Sequence, residues 1–382
     1  MKSILILLHC ESNTGYAISP LERTFYEMAM RLTNDDPTRI HFAYPSMQRG
    51  PTATLPAEFS QFTLIDARSS DAAHHKAAAE YIERHGIDTV FGFDQPVRRP
   101  IYRHFRRAGV RRFIAYWGAP ISSLFGPLKL TAKRIEVALS RHGPDHYIFE
   151  SRGMADTGVL GRGIPRRKTS VVYQGVDTER FHPPEEGADY YAYEQLGIAR
   201  DRKLFYYAGH MEPRKGVAVI MEAANRLAAR RDARDWHIAL FGNQPGEERA
   251  YLDRLSDAAR EHVTFGGYRP DLPLIQRSCY AGMIASTGWD SFPRSGMEIQ
   301  ASGLPLFVSD LPGLNEMVVP GETGYVFRPG DADALAGLMG AILDDPARSR
   351  QLSANARRRV VDEFSLPGQI EGLVGVMRDV LR

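Results

Sequence analysis

Two acidic residues eight positions apart, Asp290 and Glu298, bracket the stretch Trp289-Asp-Ser-Phe-Pro-Arg-Ser-Gly-Met-Glu298. The apolar spacing near Ser295–Ala301 predicts that a helix starts between them. A first helical turn leaves backbone N–H groups unpaired and pointing outward, which suits a phosphate. A carboxylate one or two turns in can accept both hydroxyls of a ribose. A solvated helix face would carry the same two acids, so the pair alone does not choose. A second stretch, Tyr207-Ala-Gly209-His-Met-Glu-Pro213-Arg214-Lys215-Gly216, follows an apolar run and opens a predicted helix. Arg214 and Lys215 therefore come to the carboxyl edge of a strand, where two cations can neutralise a departing diphosphate. A charged turn facing water is the plain alternative. Asp331-x-Asp333 has the look of a metal-binding triplet, but it follows Pro329-Gly330 and opens a helix, so capping explains it better.

The elements that must position these residues alternate along the whole chain. Ile4–Leu8 is an unbroken apolar run of strand length, as in a parallel strand buried on both faces. The polar loop from His9 to Gly15 follows, then apolar residues at helical spacing from Leu21 to Leu32. Further strands are predicted at 40–43, 62–65, 89–93, 112–116, 146–149 and 169–173, with helices at 72–84, 100–108 and 128–140 and one after Ser151. Phe181-His-Pro-Pro-Glu-Glu-Gly187 breaks the pattern as a stiff, exposed connector. Beyond it come strands at 203–208, 236–241, 263–265, 281–285, 306–308 and 324–327. Helices at 217–230, 248–259, 272–278, 295–301 and 332–343 alternate with them. The expected fold is α/β, with two Rossmann-like doubly wound parallel-sheet domains facing a central cleft, where open sheets bind ligands beyond their strand ends. The expected domains are residues 1–182 and 186–365, with a last helix over 366–382 crossing back onto the first.

Length and composition agree with that division. The chain has 382 residues, 43% hydrophobic and 25% charged, too long for one ordinary core and neither fibrous nor disordered. No stretch is long and apolar enough to span a bilayer, and Ile4–Leu8 is too short for a signal peptide's apolar region. Cys10 and Cys279 are read as two free thiols of a reducing compartment, which places the chain in the cytoplasm. The net charge of +2 hides an imbalance. Residues 1–180 hold 25 Lys and Arg against 18 Asp and Glu, whereas residues 181–382 hold 23 against 28. Arginines cluster at 98–112 and again, with Lys168, at 162–168. Such a face is either a solvated surface or one drawn to anionic lipid at the inner side of a membrane or to a phosphorylated acceptor. A nucleic-acid role is disfavoured, because no aromatic residues interleave with these arginines in a recognisable binding motif.

Taken together, the row Asp290, Phe292, Glu298, Ala301, Gly303, Pro305, Ser309, Asp310, Gly313 and Glu316 resembles the retaining glycosyltransferase family 4. Gly324-Tyr-Val-Phe327 and Gln174-Gly-Val-Asp177 with Phe181 and Pro183 extend the resemblance, which is strongest over residues 169–330. It implies the two-domain GT-B fold and transfer of a hexose-type sugar from a UDP- or GDP-linked donor to a hydroxyl acceptor on a glycan, a lipid-linked carrier or a small molecule. It implies Glu298 on the donor ribose and Asp290 on the transferred sugar. Backbone amides from Phe292 through Arg294 and Ser295 to Gly296 would meet sugar and phosphates, and Lys215 with Arg214 would hold the diphosphate. Tyr268 or Arg269 would pack on the base, with Gly242 and Asn243 in the loop after the second strand. Gly15 and Tyr16 would reach the diphosphate from the first domain. Three positions depart from the family's pattern. Asp290 stands where Glu is usual, His210 where an arginine commonly helps bind the diphosphate, and Trp117 where many members place a histidine near the sugar.

No cofactor or metal is expected on this reading, the nucleotide sugar being a substrate. No residue offers itself as a covalent nucleophile, in keeping with attack on the donor by the acceptor from the face the diphosphate leaves. Two rivals share the architecture: a nucleotide-sugar 2-epimerase, which needs no acceptor, and a non-catalytic nucleotide-sugar sensor. A dehydrogenase is disfavoured because no G-x-G-x-x-G follows the first strand.

Overall fold

Ser3–Leu7 is buried at every position and forms an interior strand of the first of two parallel sheets. The computed structural model describes residues 1–15, 18–121, 126–185, 189–230 and 235–382. The first sheet contains β1 (Ser3–Leu7), β2 (Ile40–Tyr44), β3 (Phe62–Leu64), β4 (Ile87–Phe93), β5 (Arg112–Trp117), β6 (His146–Phe149) and β7 (Thr169–Val171). Its order is β3-β2-β1-β4-β5-β6-β7, parallel throughout. The second contains β8 (Lys203–Ala208), β9 (Trp236–Phe241), β10 (Val263–Phe265), β11 (Ala281–Ile284), β12 (Leu306–Ser309) and β13 (Gly324–Phe327), in the order β10-β9-β8-β11-β12-β13. It too is parallel throughout. Both reverse their winding beside the first strand, the doubly wound pattern.

Helices cover the sheets because their apolar residues recur at helical spacing. In the second unit Val217, Ile220, Met221, Ala224 and Leu227 of the helix Val217–Ala228 are all fully buried. Together with Leu335 and Met339 of the helix Ala332–Asp344 they pack over Phe205, Ile238, Leu240 and Met283. In the first unit Ala78 and Ile82 meet Ile101, Tyr102 and Phe105 over Val90 and Phe113. Each fully buried aliphatic or aromatic side chain contributes about 1.5–3 kcal/mol relative to exposure.

The chain divides into Met1–Tyr173 with Pro367–Arg382, and Gln174–Leu366. The division falls earlier than the connector at Phe181–Gly187, whose residues 186 and 187 lie outside the described residues. The reason is local: Val176 bridges Ser365, and Arg357 donates to the carbonyls of Phe181 (2.8 Å) and Thr178 (3.1 Å), so residues 174–183 pack on the second unit. The last helix, Leu366–Leu381, is held in the first unit by a hydrogen bond from Arg112 to the Val380 carbonyl (2.8 Å) and an Arg31–Glu371 ion pair.

Three helical segments differ from expectation. The single helix expected over 248–259 is two short ones, Arg249–Leu252 and Asp257–Arg260, because the Ser256 side chain caps a fresh start on the Ala259 amide. Tyr191–Leu196 and the eighteen-residue Pro346–Glu363 were not foreseen. The latter buries only Ser349, Leu352, Ala356 and Val360, too sparse a stripe to register as a helical pattern. Asp331 caps the helix it precedes by accepting the Ala334 amide, and Asp333 pairs with Arg226. Among the described residues no helix is long and apolar enough to cross a membrane.

Candidate functional site

A doubly wound sheet opens a crevice where its strand order reverses, at the carboxyl ends of the flanking strands. In the second unit these are β8 and β11, and the loops leaving them carry Arg214, Lys215 and Asp290. Pro213–Lys215 is a single 3-10 turn, followed by Gly216 in the left-handed region (φ +73°). A Cβ at Gly216 would stand 1.7 Å from the Ala285 carbonyl oxygen, so only glycine lets the two loops touch. The amide of Thr287 donates to the Arg214 carbonyl at 2.8 Å and ties them together.

Lys215 meets Asp290 across that contact. Its Nζ donates to both carboxylate oxygens at 2.9 Å, and Ser286 Oγ donates to one of them at 2.7 Å. Both side chains are largely buried, 16% and 6% exposed, so the pair is held where water screens it weakly. An ammonium has three N–H donors; two go to Asp290 and one is left for another acceptor. Burial, and next the Asp290 charge, push the neighbouring Tyr207 hydroxyl well above its ordinary pKa. Arg214 lies 4.2 Å over the Trp289 ring, donates to the Trp289 carbonyl at 3.0 Å, and pairs with Glu212 at 2.7 Å. Stacking and pairing fix the guanidinium beside the lysine's loop.

The helix Arg294–Ala301 starts four residues after Asp290. Arg294 donates to the Gly175 carbonyl at 3.3 Å, while its Nε and Nη2 are buried without a partner among the described residues. Two orphaned guanidinium donors at a helix N-terminus favour an anion. Ser295 is half-buried, and Glu298 is 1% exposed on the same helix. Gly296 and Phe292 pack within the second unit. The Gly296 amide donates to the Pro293 carbonyl (3.0 Å), and a Cβ there would lie 2.7 Å from Met317 Cε, which makes it a packing glycine. The Phe292 ring is fully buried and meets Phe364 edge-on at 5.2 Å.

At the other side of β8 the loops interlock. The Gly242 amide donates to the Gly267 carbonyl (2.9 Å), and the Gly267 amide donates to Asn243 Oδ1 (2.9 Å). Gly242 (φ +100°) could carry no side chain, since a Cβ would stand 2.4 Å from the Gly209 carbonyl oxygen. Tyr268 is 63% exposed, a free ring at this edge, whereas Arg269 is bound to Asp271 at 2.8 Å. That pairing holds the Asp271 carboxyl well below its usual range. His210 is exposed, and its carbonyl accepts from the Tyr207 hydroxyl at 3.0 Å.

Three further expected residues belong to the first unit. Gly15 (φ +91°) accepts the amides of Ile18 and Ser19 ahead of the first helix, and Tyr16 lies outside the described residues. Trp117 ends β5 and packs against a cluster containing Val97, Ala115, Ile121 and Phe149, with its indole N–H buried and unpartnered among the described residues. Lys215, Arg214 and Asp290 are thus brought together. Ser286, Trp289 and Glu212, which hold them, went unnoticed in the sequence, although Ser286 and Glu212 lie within four residues of the groups they bind.

Residues 192–359 match the family model described as glycosyl transferases group 1. The chain is 30% identical over 218 residues to the D-inositol 3-phosphate glycosyltransferase of Nocardia farcinica, a match covering 56% of this chain and 48% of that protein. The chain spans about half the length of the curated relatives it matches, 44–61% of each for the first three. Among solved structures, a glycosyltransferase from Rickettsia africae superposes with a TM-score of 0.83 at 16% identity, covering 100% of this chain and 99% of that one. HepE of Anabaena, solved in complex with UDP, superposes with a TM-score of 0.79 at 17% identity, covering 99% and 100%. These likenesses give the fold, which is GT-B.

Proposed function

We propose, because residues 192–359 match the family model described as glycosyl transferases group 1, that the chain is a retaining, metal-independent glycosyltransferase that moves a hexose-type sugar from a UDP- or GDP-linked donor to a hydroxyl acceptor. The observation that carries this reading is the Lys215–Asp290 pair at the reversal of the second sheet, flanked by Arg214 and by the two unpartnered donors of Arg294. Cations and helix N–H groups at one crevice suit a diphosphate, and a carboxylate anchored by lysine and serine suits sugar hydroxyls. Glu298, buried on the helix that follows, is assigned to the donor ribose. Tyr268 is assigned to the base. The UDP carried by HepE is a ligand of the kind this crevice would take.

In the proposed reaction the bond between the anomeric carbon and the diphosphate oxygen breaks first. Lys215, Arg214 and the start of the helix Arg294–Ala301 stabilise the charge that develops on the leaving group. The acceptor hydroxyl oxygen then bonds to the anomeric carbon from the same face and gives its proton to a phosphate oxygen of the departing nucleotide. Removing one preorganised donor of this kind costs about 2.7–4 kcal/mol of barrier, a rate loss of about 10²–10³.

The test is a thermal-shift panel of nucleoside diphosphates and nucleotide sugars, followed by turnover of the donor that binds. A ligand at about a hundred times its dissociation constant stabilises by about 2.7 kcal/mol. Lys215→Ala should lose most of that shift and the stated factor in rate. Near-full rate at saturating donor in this variant would overturn the diphosphate assignment. An altered sugar formed from donor alone, with no acceptor, would convert the reading to an epimerase.

A further inference from the structure

The helix Pro127–Ala138 turns a second apolar face to solvent. Surface helices of globular proteins turn their apolar stripe inward. Here Leu128, Ile135 and Leu139 stand out from the surface, 88%, 55% and 64% exposed. With the exposed Ala132 they fall at i, i+4, i+7 and i+11, a single face. The covered side carries half-buried Leu130 and Val137, the latter packed on the core beneath, together with ions: Lys133 pairs with Glu136 at 2.5 Å, and the buried Arg162 approaches Glu136 at 3.7 Å. No residue of this helix is fully buried. Arg134 links it to the next exposed aliphatic group, donating to the carbonyls of Gly161 (2.9 Å) and of Leu160 (2.5 Å), whose side chain is 64% exposed.

An apolar stripe of this kind on a surface marks an interaction site. What covers it is decided by the charges around it. Every exposed charged residue described between 126 and 168 is basic: Lys129, Arg134, Arg141, Arg152, Arg166 and Arg167 with Lys168. The acidic residues of that stretch, Glu136, Asp145, Glu150 and Asp156, are buried or half-buried. A second copy of the chain would set the same basic residues against one another across a two-fold interface. A layer of anionic headgroups over an acyl interior satisfies both features at once, basic side chains on the phosphates and leucines below them.

We propose that the helix Pro127–Ala138 lies in the surface of an anionic lipid bilayer, with Leu128, Ile135 and Leu139 inserted and Lys129 and Arg134 on the headgroups. This inference stands on the first unit alone and is independent of the reaction proposed above. The test is co-sedimentation of the full chain with vesicles of phosphatidylcholine alone, or with one part in three of phosphatidylglycerol. Binding to the mixed vesicles should exceed binding to phosphatidylcholine by about tenfold and fall with added salt. The double variant Leu128→Ser/Ile135→Ser should lower it by about tenfold or more without lowering the melting temperature. Lys129→Glu, which leaves the apolar stripe intact, should weaken binding to the mixed vesicles alone. Failure to sediment with the mixed vesicles, equal binding to both compositions, or unchanged binding of the double variant would overturn the proposal. So would a lipid-free dimer that the double variant dissociates, which would assign the stripe to a second copy.

Discussion

Asp94 directly follows β4 at the reversal of the first sheet, in the left-handed region (φ +50°) that few aspartates occupy. Its carboxylate accepts the Gly118 amide at 2.9 Å. Burial pushes its pKa up to about 7, against the smaller opposite pull of that hydrogen bond. Its charge also reaches the Cys10 thiol, which burial first, then Glu22 and Asp94, push up to about 11. The consequence for stability has a definite sign. An aspartate of the unfolded chain titrates near 3.8, so between that pH and about 7 the folded state holds the proton more tightly. The stabilisation is complete below the lower value and is lost as pH rises through the higher one, by an amount on the order of a few kcal/mol. Asp94→Asn stays neutral and can still accept from Gly118. Urea unfolding at about pH 5 and about pH 8 should show the variant gaining on the parent chain as pH rises. A gap of the same size at both values would mean that Asp94 does not titrate in this range.

At the scale of elements, the loops after β8 and β11 are aligned by one glycine. Gly216→Ala must leave the left-handed region or drive a methyl into the Ala285 carbonyl, and either way separates Lys215 from Asp290. Backbone strain of that kind costs on the order of 1–3 kcal/mol. The variant should melt lower and lose nucleotide-induced stabilisation even below its melting temperature; full nucleotide binding in a folded variant would show that the loop contact is dispensable. Gly216 was legible in the sequence as part of a motif, but its reason, a contact with Ala285 nearly seventy residues away, was not. The same limit runs through the fold. Continuous apolar runs such as Ile238–Phe241 announce strands because a parallel sheet buries both faces. Pro346–Glu363 announces nothing, since four small or aliphatic residues on a charged helix are fixed by packing against other elements. Asp290 and Lys215 were found from their neighbours in sequence. Their bidentate pairing, and the occupied amide of Gly296, depend on where loops meet in space. The outward stripe on Pro127–Ala138 was hidden too, because apolar spacing shows that a helix is amphipathic and not which side it turns to solvent.

Across the whole molecule, the two units differ in how the chain builds them. The first is discontinuous, completed by Pro367–Arg382, and loses a helix if the chain is cut after Tyr173. The second, Gln174–Leu366, is one unbroken segment that contains its six-stranded sheet, its own hydrophobic core and every residue of the Lys215–Asp290 cluster. Its ends are tied within it, by the Val176–Ser365 bridge and by the Leu366 amide, which donates to the Val176 carbonyl at 2.9 Å. A segment of roughly 190 residues with a closed core is within the size range that folds alone. Residues 174–366 expressed by themselves should therefore melt in one cooperative transition and be stabilised by the same nucleoside diphosphates as the full chain, because the proposed diphosphate ligands all lie inside the segment. Circular dichroism melts with and without nucleotide check both halves of the prediction. A fragment that folds yet ignores nucleotide would mean that groups of the first unit, around Gly15, are needed to hold the diphosphate. One that fails to fold would show that the second core depends on the first.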